Sequence, residues 1–266
     1  MTSSHPLPVP CQWFSWLAAS LDRRSAPRLA LLFLGAGVHH NPAPGPAGSP
    51  YVYGHVFVVL GLFVTHQAWG TIALPLLARL YVRKKDLPAI DPKHRPEFRT
   101  KLELAVEMLR WAKPWLGLLD VPIWVVADGA YAKKDFLKPA AALGMTVVSR
   151  LRKDAALRTL PGPKPPGRRG PAPTYGPDVI DLAKRAGRRR GWSCDTFELY
   201  GEKAVKRYKT FLATWRPAGG ATRVVLVDEP TGWRAFFCTD TSASAADILG
   251  TVADRFSLVI AFRDCK

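Results

Sequence analysis

Asp128 is the acid in this chain best placed to do chemistry. The run Ile123-Trp124-Val125-Val126-Ala127 is continuously apolar, as a strand covered on both faces would be, and Asp128-Gly129 ends it. Ligand sites in α/β sheets form at the carboxyl ends of strands, and a glycine there lets a metal or ligand approach the backbone closely. The same Asp-Gly pair is also ordinary turn chemistry, and these residues alone do not separate the two readings. Cations form the second set of candidates. The stretch Arg185–Arg190, which includes Arg188, Arg189 and Arg190, fits contacts to a phosphate backbone and equally a solvated charge run. Near the end of the chain, Arg255 and Lys266 flank an apolar stripe of Ile248, Val252, Phe256, Val259 and Phe262, which core packing would also explain.

The overall charge favours a polyanionic partner. Lys and Arg total 38 against 21 acidic residues, a formal net charge of +17 over 266 residues. Phosphate contacts release counterions and dominate non-specific nucleic-acid affinity, so such a balance points to nucleic acid. The four cysteines, Cys11, Cys194, Cys238 and Cys265, lie far apart without metal-ligand spacing, which argues against a zinc site and fits a reducing cytoplasm. The apolar runs Leu29–Val38 and Val56–Val64 fall well short of the roughly 20 residues of a membrane span and read as buried strands or core; no membrane partner is expected.

The elements that must position these residues are legible in outline. Residues 41–50 are proline-rich and read as a loop. Tyr51 to Val64 and Thr71 to Val82 read as adjacent strands joined near Gln67–Gly70, with Pro75 awkward for a central ladder. Leu102, Ala105, Val106, Leu109 and Ala112 recur at helical spacing and predict a helix over 97–113, ended by Pro114. The strand before Asp128, a short helix around Lys133–Leu143 closed by Gly144, and a strand from Met145 to Leu151 then suggest a parallel α/β sheet. The segment Pro161 to Pro177 is too rich in proline and glycine for an element. Cys194–Leu199, Ala204–Trp215, Arg223–Val227 and Trp233–Cys238 read as an antiparallel β insertion. Ser244 to Lys266 reads as a helix, with Ser244 and Asp247 placed like a capping box.

Taken together, several of these stretches resemble bacterial insertion-sequence transposases of the DDE type. The resemblance is carried by Asp128-Gly129-Ala130-Tyr131-Ala132-Lys133, Val147-Val148-Ser149-Arg150-Leu151-Arg152, Gly35-Ala36-Gly37-Val38-His39-His40-Asn41, Tyr53-Gly54-His55-Val56 and Thr239-Asp240, and it covers roughly residues 35–266. It implies a ribonuclease H-like α/β fold: a mixed sheet with helices, interrupted by an antiparallel β insertion. On that basis residues 1–50 are expected to be an irregular segment with a first-strand remnant, 51–151 the core, 152–240 the basic loop and β insertion, and 241–266 the remnant of the catalytic helix.

The resemblance further implies metal-dependent cleavage and strand transfer, with Mg²⁺ or Mn²⁺ held by carboxylates from separate elements. Asp128 matches the second aspartate. The first falls at Asp22, at the end of the apolar run Phe14 to Leu21, although Arg23-Arg24 follow it and a solvated charge is the alternative. The branch of the family with a β insertion carries a Tyr–Arg–Glu–Lys signature on its last catalytic helix. Arg255 and Lys266 occupy the Arg and Lys positions and would hold DNA phosphates, whereas Val252 and Val259 stand at the Tyr and Glu positions. The catalytic glutamate is missing, so a degenerate, truncated copy is expected. Its partners would be the element's DNA ends and a DNA target, and a second copy in a synaptic complex. A non-catalytic DNA-binding protein of the same descent and an unrelated basic RNA-binding protein are the competing readings.

Overall fold

The computed structural model describes residues 31–38, 56–66, 70–119, 121–164, 167 and 169–264. Its frame is one large mixed sheet. Strands β1 (Leu31–Val38), β2 (Val56–His66) and β3 (Gly70–Tyr81) form an antiparallel meander. Helix α1 (Lys101–Leu116) leads to β4 (Trp124–Ala127), and α2 (Lys134–Ala142) leads to β5 (Thr146–Leu151); β4 is parallel to β1, and β5 to β4. The order β3-β2-β1-β4-β5 is that of the ribonuclease H-like core the resemblance implies.

The antiparallel insertion continues this sheet. The short strands β6 (Leu157–Arg158) and β7 (Val179–Ile180) and helix α3 (Leu182–Gly187) precede the long strands β8 (Ser193–Leu199), β9 (Glu202–Trp215), β10 (Gly220–Asp228) and β11 (Arg234–Cys238). β11 pairs antiparallel with β5, so the added strands extend the core edge to edge. Helix α4 (Ala245–Asp264) closes the described chain. Among the described residues no helix is long and apolar enough to cross a membrane.

Period-two alternation divides the sheet into two faces. Val125, Ala127, Val147 and Leu151 join α1 and α2 in one core through Ala105, Met108, Leu109, Phe136 and Leu137. Val148, Val225, Val227, Phe236 and Cys238 face the other way and pack against Ile248, Leu249 and Ala253 of α4. Val126 shares that second side with Val59 and Phe63, and Val252 of α4 packs on them.

Two local expectations are corrected. The helix predicted over 97–113 begins at Lys101, because Thr100 and Glu103 form a reciprocal capping box. It also runs past Pro114 to Leu116, since a proline near the carboxyl end removes only one hydrogen bond. Pro75 lies on β3 at the end of the sheet path, opposite Gly61, where the β2–β3 register shifts. An edge strand with an irregularity is where a residue without an amide hydrogen is tolerated.

Candidate active site

Alternation along β4 decides where Asp128 points. Val126 faces α4, Ala127 faces α1, and Asp128 keeps an extended backbone (φ −64°, ψ 152°), so its side chain returns to the α4 side. There Arg255 donates from Nη1 to Asp128 Oδ2 at 2.8 Å. The other carboxylate oxygen accepts the Ala130 amide at 3.0 Å, which starts the 3-10 turn Gly129–Tyr131. Tyr131 anchors that turn in the opposite core, edge-on to Phe136 at 5.6 Å, and burial foremost, with Asp128 second, raises its phenol well above the usual range. Gly129 does permit a close approach, but by protein: a Cβ there would stand 3.2 Å from the Arg150 carbonyl oxygen on β5.

The strand beside β4 carries no acid near Asp128. Leu34 pairs with Ala127, so the residue one step on, level with Asp128, is Gly35, and Leu31–Val38 contains no carboxylate. The apolar run Phe14 to Leu21, which ends at Asp22, lies outside the described residues. The strand seated here is the apolar run Leu31–Val38, whose composition suits a central position. Asp22 and Lys266 lie outside the described residues, and for Val259 only the helical backbone is described. The contacts around α4 are firm. Ser244 Oγ accepts the Asp247 amide at 3.1 Å, which makes the expected cap. Thr239 Oγ1 accepts the Val147 amide at 2.8 Å, and Arg223 donates to the Thr241 carbonyl at 2.6 and 3.0 Å, tying the approach to α4 onto β5 and β10.

A trough of mainly cationic side chains runs across this face. Beside Asp128 it holds Arg150, Arg152, Lys153, Asp154 and Arg255 in about 470 Å³. Towards the insertion it continues as a cleft of about 260 Å³ with much apolar lining, including Val126, Phe236 and Val252, and with Arg150, Arg234, Arg255, Lys206, Glu229 and Tyr200 as its polar groups. Asp154 is held bidentately by Arg152 at 2.9 Å, and Lys206 pairs with Glu229 at 3.1 Å. Tyr200 and Gly201 form the two-residue loop of the β8–β9 hairpin, with φ of 58° and 79°. Positive values at both central residues match the tight turn that suits twisted strands, with tyrosine at a position it rarely takes. Burial raises the Tyr200 phenol, while nearby Arg255 and Arg234 pull it back down.

These donors do not suit a divalent cation. Among the described residues no group of three or more His, Cys, Asp or Glu side chains could hold one. The two carboxylates in the trough beside Asp128 are each already engaged by arginine.

Arg188, Arg189 and Arg190 lie on the far side of the insertion, where α3 ends against β9. All three are exposed. The buried Lys209 of β9 donates to the carbonyls of Arg185 at 2.8 Å and Arg188 at 2.6 Å, and its ammonium lies 4.7 Å from the centre of the Trp192 ring. Arg185 itself stacks on Phe211 at 3.8 Å. The tertiary structure therefore unites Asp128 with Arg255 and sets the arginine run apart from them. Sequence reading missed Arg150 and Arg234. The available signal was alternation: Arg150 takes the same side of β5 as the buried Val148, where an arginine is out of pattern.

A sheet in this order, with an acid closing the strand parallel to the first and a terminal helix laid against it, is a ribonuclease H-like nuclease fold. The chain belongs to the DDE superfamily endonucleases, whose family profile matches residues 50–217, more than half of its length. A search of curated proteins finds no match. Members of this superfamily act on DNA with divalent metal ions.

Proposed function

We propose that this chain is a DNA transposase of the insertion-sequence type in which DNA binding persists and strand cleavage is largely lost. The observation that carries the reading is the contact between Asp128 and Arg255. Through that contact the acid at the end of β4 meets the helix that carries Arg255, the residue at the Arg position of the Tyr–Arg–Glu–Lys pattern. The loss of cleavage rests on two features: valine at 259, where that pattern has its glutamate, and the lack of a second uncommitted carboxylate near Asp128 among the described residues. On this reading Asp128 and Asp22 stand at the positions of the ancestral metal ligands, and Arg255, Lys266 and Arg188–Arg190 are the phosphate contacts. The partners proposed are the element's DNA ends and a target duplex in a cytoplasmic setting, with two copies of the chain bringing the ends together.

Supercoiled plasmid carrying the element's ends, incubated with Mg²⁺ or Mn²⁺, tests this directly. The wild-type chain should shift in a gel with the DNA yet nick it at the background rate. Robust metal-dependent nicking that Asp128→Asn abolishes would overturn the inactive reading. Failure to bind DNA would remove the transposase reading altogether.

A further inference from the structure

Two arginines in the trough have no hydrogen-bond or ion-pair partner among the described residues. Arg150 on β5 is paired in register with Phe236 on β11, so Arg234, two residues earlier on β11, is its diagonal neighbour on the same face. Such neighbours stand roughly 7–8 Å apart, within joint reach of one small anion for two long side chains. Both are exposed, and neither makes an ion pair or hydrogen bond to another described residue. The charges around them are committed: Arg255 to Asp128, and Lys206 to Glu229. Two guanidinium groups side by side repel each other, and the acids that share their pockets, Glu229, Asp128 and Asp154, each pair with another cation. An anion bridging them would offset that repulsion.

We infer that Arg150 and Arg234 form a seat for the phosphodiester backbone of the DNA strand that runs past Asp128. The inference rests on the DNA-transposase reading and extends it to residues on the insertion side of the site. Planar guanidinium forks match phosphate oxygens two at a time, which an ammonium cannot do. The cleft at Arg234 and the trough at Asp128 share Arg150 and Arg255, so the path is continuous and suits a chain of phosphates. At about 260 Å³ the cleft is smaller than the roughly 300–1,000 Å³ typical of enclosed small-molecule sites, which favours an extended ligand lying across it. Its rim is the β8–β9 hairpin with Tyr200, so the insertion supplies one wall of the seat and the core the other.

Fluorescence anisotropy with a labelled mixed-sequence DNA duplex, titrated with KCl, tests the seat. Each lost phosphate contact removes about 0.9 from the slope of log K against log salt. Arg150→Ala/Arg234→Ala, which removes one shared phosphate contact, should therefore make the slope shallower by about 0.9 and weaken binding roughly tenfold near 0.1 M salt. Lys84→Ala/Lys85→Ala removes the same charge from exposed residues that line neither the cleft nor the trough and should leave the slope unchanged. Equal losses in the two double variants would reduce the effect to general charge and overturn the seat. Unchanged slopes in both would overturn it too, with the transposase reading left standing. A wild-type chain that binds no DNA, or prefers RNA of the same sequence, fails at the earlier step, and both readings fall together.

Discussion

Asp128 and Arg255 are 127 positions apart in the chain, and their side chains meet at 2.8 Å. The contact joins the end of the central parallel strand to helix α4, which is packed on the sheet through Ile248, Leu249, Val252 and Ala253. Asp128 is about half exposed and Arg255 only about a fifth (51% and 21%), so the pair lies at the mouth of the trough with its cation inward.

A double-mutant cycle measures that relationship. Asp128→Asn and Arg255→Met, alone and together in urea denaturation, should give a coupling energy of about 0.5–1 kcal/mol, as for a partly solvated ion pair. Coupling indistinguishable from zero would mean the two side chains do not meet in solution.

Restoring the glutamate should not restore cleavage. With no second free carboxylate near Asp128 among the described residues, Val259→Glu is expected to leave metal-dependent plasmid nicking at background. A gain of tenfold or more, worth about 1.4 kcal/mol in the barrier, would show that another acid, such as Asp22, does reach the site.

Lys209 holds the arginine run in place. Lys209→Met removes the ammonium that two buried-side carbonyls accept from, at Arg185 and Arg188, and should cost about 1–3 kcal/mol of stability in chemical denaturation. Faster proteolysis around residues 185–192 should accompany that loss. An unchanged denaturation midpoint would place the ammonium in water.

The start of α1 should be sensitive to acid. The Thr100 amide donates to Glu103 Oε2 at 2.7 Å, and this bond, with the Thr100 side chain, holds the Glu103 carboxyl below its usual range. A depressed folded value stabilises the protein above the ordinary carboxylate range, and the contribution fades as pH falls through the folded value. The stability difference between wild type and Glu103→Gln should thus be largest near neutrality and shrink on acidification. Thr100→Ala should cost about 1 kcal/mol at neutral pH. A difference that grows as the pH falls contradicts the cap.

Local patterns carried much of the architecture. The apolar block ending in Asp-Gly, the helix closed by Gly144, and the run of alternating strands after residue 190 each announce themselves within a few residues, because helix and strand periodicity are short-range properties. The boundaries missed at Thr100 and Pro114 depended on a reciprocal side-chain bond and on tolerance at a helix end, which periodicity does not encode.

Sequence by itself determined the net positive charge of the chain, the type of each central element, and the identity of the acid that closes β4. Only the tertiary structure decided which strand lies beside that acid, that the insertion lengthens the core sheet, and that Arg150 and Arg234 become neighbours of Arg255 while Arg188–Arg190 do not. The reason is range. Hydrophobic period and turn chemistry act over a handful of residues, whereas pairing register and helix docking are settled by burial summed over the whole sheet.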